Sequence, residues 1–145
     1  NLLEILSKRS LKRQKYRKSF RPKTRQEIAS RGNVLSFGEF GLRAETSGNI
    51  SSRQIESARR AMAGFTKRGG RIWIRIFPDR VITKKPPEVT MGGGKGEIEG
   101  YVAPVYTGRV IFEMTGVPLD IAKEAMRLAA HKLPIRSSFI KKEHA

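Results

Sequence analysis

The chain of 145 residues contains no cysteine, which removes disulfides, iron–sulfur clusters and thiolate zinc sites. Its two histidines, His131 and His144, cannot build a metal centre alone, so neither a metal nor a cofactor is expected. Acids are scarce as well: 13 Asp and Glu stand against 30 Lys and Arg, a formal net charge of +17. A compact monomer with that imbalance repels itself and needs a polyanion, which leaves RNA, DNA or an anionic membrane. No apolar run approaches the roughly 18 residues that span a bilayer, so membrane is the weakest of the three, although a basic amphipathic surface helix remains open. Apolar residues make up 38%, below the usual globular share, which suits one modest core. Catalytic material is poor. No Ser–His–acid set can be assembled, and Glu97, Glu99, Glu113 and Asp120 read as strand or cap residues; the chain is expected to be no enzyme and to take no small-molecule substrate.

What is present divides by charge. Residues 8–25 hold ten bases and no acid; residues 1–31 carry eleven bases against two acids, and residues 32–145 nineteen against eleven. A basic arm over 1–31 therefore precedes one domain over 32–142 and a tail over 143–145. Such an arm cannot collapse on itself and orders along a phosphate backbone, or else it is a solubilising or targeting tail. Tyr16 and Phe20 among the charges favour docking, because aromatics pack on bases and sugars.

In the body, alternation and glycines over 34–42 give a short strand or two. Ser51 as N-cap and Gln54 at N3 make a capping box, and Ile55, Ala58, Met62 and Phe65 form one apolar stripe of a helix that ends at Gly69-Gly70. Arg53, Arg59, Arg60, Lys67 and Arg68 lie largely off that stripe. After Glu56 no acid follows until Asp79, so pairing is not expected to absorb their charge. Residues 71–77 alternate with period two and stop at Pro78, with Ile72, Ile74 and Ile76 on one face and Trp73, Arg75 and Phe77 on the other. Pro86-Pro87 precedes a short strand at 88–90. Two more strands over 97–105 and 109–114 are joined by a turn at Thr107-Gly108. Pro118 takes the first position of a second, alanine-rich helix over 119–132, with Asp120 and Glu124 toward its positive end, and 135–140 is a last strand. The layout is α+β: two helices packed on a mostly antiparallel β-sheet.

The run Met91-Gly-Gly-Gly-Lys-Gly invites a nucleotide-binding reading that fails. Gly96 follows Lys95 where a P-loop needs Ser or Thr, and Glu97 stands where the dinucleotide pattern needs glycine. It is either a bare backbone able to approach a phosphate or the mobile tip of a hairpin.

Six strings now stand in register. They are Ser36-Phe-Gly-Glu-Phe-Gly-Leu, Ser52-Arg-Gln-Ile-Glu-Ser-Ala-Arg-Arg-Ala-Met, Arg71-Ile-Trp-Ile-Arg-Ile-Phe-Pro-Asp, Met91-Gly-Gly-Gly-Lys-Gly, Phe112-Glu-Met-Thr-Gly-Val-Pro and Ala129-Ala-His-Lys-Leu-Pro-Ile. Together with Lys12-Arg-Gln-Lys-Tyr-Arg-Lys in the arm, they resemble the family of large-subunit ribosomal protein sixteen, bacterial or organellar type, over nearly the whole chain. The resemblance implies a structural, non-enzymatic constituent of the large subunit, bound to large-subunit rRNA and neighbouring ribosomal proteins beside the aminoacyl-tRNA site near the peptidyl-transferase centre.

The candidate rRNA contacts are Lys12, Arg13, Lys15, Tyr16, Arg17, Lys18 and Arg21 in the arm and Arg53, Arg59, Arg60, Lys67 and Arg68 on the first helix. Arg71, Arg75, Lys84 and Lys85 complete the set on and after the strand that follows. Met91, Gly92, Gly93, Gly94, Lys95 and Gly96 form the loop that the resemblance turns toward tRNA. The chain departs from the family at Thr46-Ser-Gly-Asn, where basic residues are usual, and at Gly93, where lysine is common. Thr90 replaces an arginine that is hydroxylated in some bacteria, which excludes that modification at this position. The absence of an initial Met and a short N-terminal extension favour an organelle, the mitochondrion, with the bacterial cytoplasm as the alternative.

Overall fold

A computed structural model describes Lys18, residues 28–84, Gly92 and residues 94–143. Among them lie seven strands and two helices: β1 (Phe40–Ala44), β2 (Gly48–Ser51), α1 (Ser52–Phe65), β3 (Arg71–Ile74), β4 (Arg80–Lys84), β5 (Glu97–Val105), β6 (Val110–Thr115), α2 (Leu119–Ala130) and β7 (Ser137–Lys141). The strands make two sheets, ordered β3-β6-β1-β7 and β2-β5-β4, and every pairing within them is antiparallel. The α+β architecture read from the sequence therefore holds, with two sheets rather than one.

The capping box forms as the sequence dictates. The Ser51 hydroxyl accepts from the Gln54 N–H at 3.2 Å, and the Gln54 amide oxygen accepts from the Ser51 N–H at 2.8 Å. Ile55, Ala58 and Met62 are fully buried, but Phe65, the last residue of α1, stays 42% exposed because the chain leaves the helix directly after it. In α2 the buried stripe is Ala122, Ala125, Met126 and Ala129; its three alanines let the helix sit close on β1 and β7 and against α1, and Met126 fills the core between them. Pro118 is the N-cap itself, one position before the expected first turn.

On the four-stranded sheet, Ile74, Phe112, Leu42 and Phe139 lie in one row, and Ile72, Met114 and Phe40 in the next. Both rows face the helices and make the core. Truncating a side chain such as Phe112 there costs about 3–5 kcal/mol. The opposite face carries the row Trp73, Glu113, Gly41 and Ile140.

Three expectations need correcting. The strand read over 34–42 begins only at Phe40, because residues 34–38 cross the outer face of the sheet. Gly41 makes this possible: a Cβ there would lie 2.4 Å from the Leu35 side chain and 3.0 Å from the Phe112 carbonyl. The strand read over 71–77 ends at Ile74, because after Arg75 donates its N–H to the Ile111 carbonyl the chain bends away. Strands β2 and β4 were not anticipated; β2 has four residues with Ile50 alone buried, and β4 follows a Pro-Asp pair that reads as a stop. The expected strand at 88–90 lies outside the described residues. Ahead of β1, Ile28 bridges Thr107 and Ala29 is buried against the body.

The capping box yields the first test. Ser51→Ala is expected to cost about 1 kcal/mol in urea unfolding. Ser57→Ala, on the exposed face of α1, changes stability by less than about 0.5 kcal/mol; equal effects would show that the cap contributes nothing.

Candidate nucleic-acid interface

The outer face of the four-stranded sheet is organised around one carboxylate. Glu113 is fully buried. Its Oε1 accepts three successive backbone N–H groups, from Ser36 at 2.7 Å, Phe37 at 2.9 Å and Gly38 at 3.1 Å. Its Oε2 takes the partly buried Arg75 guanidinium in an ion pair. Burial alone would push this carboxyl up; the Arg75 guanidinium and the three N–H groups outweigh it and hold the group below the usual carboxylate range. The crossing segment 34–38 is thereby clamped to the sheet.

The clamp positions two aromatics. Phe37 stacks on Trp73 with ring centroids 6.0 Å apart and planes 24° apart. Arg75 lies 5.2 Å over Phe37, and Arg71 5.5 Å over Trp73. The result is a ladder of Arg71, Trp73, Phe37 and Arg75 on an open face, with Phe37 61% exposed. Guanidinium planes and exposed rings offer stacking surfaces to unpaired bases, while the cations attract phosphate.

The first helix contributes differently from expectation. Glu56 is buried in its own right and absorbs two of the arginines, with Arg59 Nη2 at 2.5 Å and Arg60 Nε at 3.3 Å. The expectation that pairing would not neutralise this helix is thus corrected: an acid three and four residues before a base sits one turn away on the helix. Charge remains at Arg53, Lys67 and Arg68, all exposed. Lys67 and Arg68 hold φ of 53° and 62°, left-handed values uncommon outside glycine, just past the C-terminal end of α1, where the helix dipole favours cations. Arg59 and Arg68 line one hollow of about 350 Å³ with Ile72 of β3, so the helix end and the strand share a surface. The other helix is more balanced, with Arg127 paired to Glu124 at 2.6 Å.

Of the remaining expected contacts, Lys84 is exposed at the end of β4. Lys18 donates to the Lys95 carbonyl at 3.3 Å, which brings a residue of the arm to the glycine loop. Lys12, Arg13, Lys15, Tyr16, Arg17, Arg21, Lys85, Met91 and Gly93 lie outside the described residues. The sequence reading missed the roles of Phe37, Glu113 and Arg109. A lone acid in the apolar run of β6 was the available signal for Glu113, since a carboxylate there must find partners.

The titration of Glu113 sets a pH test. A depressed carboxyl contributes stability that is fully present above its ordinary value of 4.5 and lost as pH falls through the lower folded value. Glu113→Gln is expected to lose about 3 kcal/mol at neutral pH, because the partly buried Arg75 is left beside a neutral amide that also meets the three N–H groups less strongly. Its stability should then fall less steeply than the parent's between about pH 5 and pH 3. Parallel acid profiles in urea unfolding would contradict the assignment.

Comparison with known proteins gives the family. Residues 11–140 match the family model described as ribosomal protein L16p/L10e. The large ribosomal subunit protein uL16 of Staphylococcus epidermidis is 56% identical over 132 residues, 91% of this chain and 91% of the relative. The same-named proteins of Macrococcus caseolyticus and Staphylococcus aureus are 56% and 55% identical over the same shares. All three sources are bacterial, which fits the bacterial alternative and gives no support to the organellar preference. The chain belongs to the ribosomal protein L16p/L10e family, a family of structural constituents of the ribosome and not of enzymes.

Proposed function

We propose that this chain is a structural constituent of the large ribosomal subunit in a bacterial cytoplasm, and that it binds large-subunit rRNA through the ladder on β3 and the basic end of α1. The arm over 1–31 lies along the phosphate backbone and neutralises it. The observation that carries this reading is the ladder of Arg71, Trp73, Phe37 and Arg75, exposed at Arg71 and Phe37 and anchored from beneath by a fully buried carboxylate. A face so pre-organised loses little side-chain entropy when RNA docks on it.

The DNA-binding alternative has less support. A recognition helix needs a partner helix before it, and here α1 follows directly from strand β2. For a membrane role, no helix among the described residues is long and apolar enough to cross a bilayer; an anionic surface is tested below.

The glycine loop is proposed to face tRNA at the aminoacyl site. It lies in the stretch 85–96 between β4 and β5, which pair antiparallel. Gly94 has φ of +100° with open space around it, so a side chain there is strained even though it has room. Gly92, at φ of +107°, is open in the same way, and bare backbone at these two positions suits an approach between RNA elements.

Two measurements test these readings. Binding to transcribed large-subunit rRNA should weaken steeply with salt, with a log–log slope on the order of −5 or steeper, and exceed binding to genomic DNA or anionic liposomes. A flat salt response, or equal binding to all three, contradicts the rRNA assignment. In reconstituted ribosomes, Gly94→Val should reduce aminoacyl-tRNA binding more than Lys95→Ala, whose loss is roughly 1 kcal/mol; parental binding by both would leave the loop as a turn alone.

A further inference from the structure

A cleft of about 590 Å³ opens between the two sheets, away from the ladder's aromatic pair. That volume lies in the range of sites that enclose a small organic group. Its lining brings together arginines that are remote in sequence, Arg31, Arg75, Arg80 and Arg109, with Asp79 as the acid among them. Arg75 is matched by Glu113. Among the described residues, Arg31, Arg80 and Arg109 form no ion pair. After Asp79 is counted, the cleft keeps an excess of two positive charges.

Arg109 is fixed rather than mobile. Its Nη2 donates to the Arg75 carbonyl at 2.8 Å and its Nη1 to the Arg31 carbonyl at 3.2 Å, while its Nε is buried without a hydrogen-bond partner. Burial, and then the neighbouring Arg75, lower its pKa, so the fold holds this charge against both desolvation and a like charge. An anion in the cleft relieves that cost. The cleft also has aromatic walls. Phe77 is 46% exposed, and Tyr106 lines the same space. A bare inorganic anion would leave the rings unused, whereas a nucleotide engages both kinds of wall.

We propose that the cleft receives one unpaired nucleotide of the bound RNA, its phosphate beside Arg31 and Arg80 over the field of Arg109, and its base against Phe77 and Tyr106. This rests on the rRNA-binding reading above and adds a second contact surface to it. Unstacked bases packed on aromatic side chains, with arginine on the backbone, are the ordinary chemistry of sequence-selective RNA contact.

The test uses the full chain and transcribed large-subunit rRNA over a series of salt concentrations, with Phe77→Leu, Phe77→Ala and Arg80→Gln. Phe77→Leu keeps apolar volume at the site, and unfolding midpoints check that each variant is folded. Both Phe77 variants should weaken binding roughly five-fold or more with an unchanged salt slope, because a ring but no charge is lost. Arg80→Gln should weaken binding and make the slope shallower by about one phosphate contact. If the folded variants bind with parental affinity and slope, the cleft is empty of RNA and the inference falls while rRNA binding stands. If the parent itself does not bind rRNA, both readings fall. A third arm titrates the protein with uridine and adenosine monophosphate. Micromolar binding that the variants abolish, with rRNA affinity unaffected, would assign the cleft to free nucleotide and overturn the RNA assignment.

Discussion

A carboxylate with no solvent access is untenable unless its charge and its lone pairs are met, and in this fold Glu113 is met completely. Three consecutive backbone N–H groups and one guanidinium converge on it. Isolated burial of such an ion costs several kcal/mol. Here the compensating donors come from a crossing segment and from a strand end distant in sequence, so the charge can be buried only if both are in place. Segment 34–38, the bend after Ile74 and the β1–β6 pairing are thereby coupled to one another. A hydrophobic residue in its place could pack as well, but would not dictate where Phe37 and Arg75 sit. The value of Glu113 lies in that positioning.

Function follows from the surface this arrangement leaves. Positive charge in the body is unevenly distributed: some is spent internally, as where Glu56 holds Arg59 and Arg60 or Glu124 holds Arg127. Lys67 and Arg68 at the end of α1 and Arg31, Arg80 and Arg109 in the cleft between the sheets form no ion pair among the described residues, and Arg71 of β3 and the Glu113-paired Arg75 belong to the ladder. Phosphate attraction supplies affinity without selectivity, while fixed rings and guanidinium planes supply shape. On the proposed reading, a protein of this kind steadies an RNA fold and leaves chemistry to the RNA.

Much of the architecture was legible in the chain. The Ser51–Gln54 box, the Ile55–Ala58–Met62 stripe and the alanine-rich second helix are local patterns, and local patterns survive folding nearly unchanged. Strand β2 was illegible because four residues with one buried side chain carry no period, and the division into two sheets because pairing partners are chosen over long separations. Gly41 reads as a strand weakener, yet its lack of a side chain is what admits Leu35 across the sheet. The candidate site divides in the same way. Arg71 and Arg75 were identifiable from alternation with Trp73, but the stacking of Phe37 on Trp73 depends on a crossing that no periodicity announces. Resemblance supplied the family; it did not supply the carboxylate beneath the ladder.

The most direct measurement is a high-resolution structure of the large subunit containing this chain. The expected result is rRNA packed against Phe37, Trp73 and Arg71, with Arg75 still paired to Glu113 and no break in the three N–H contacts. A map in which the ladder faces solvent or another protein, with the rRNA held instead by the exposed face of α2, would contradict the assignment of the interface.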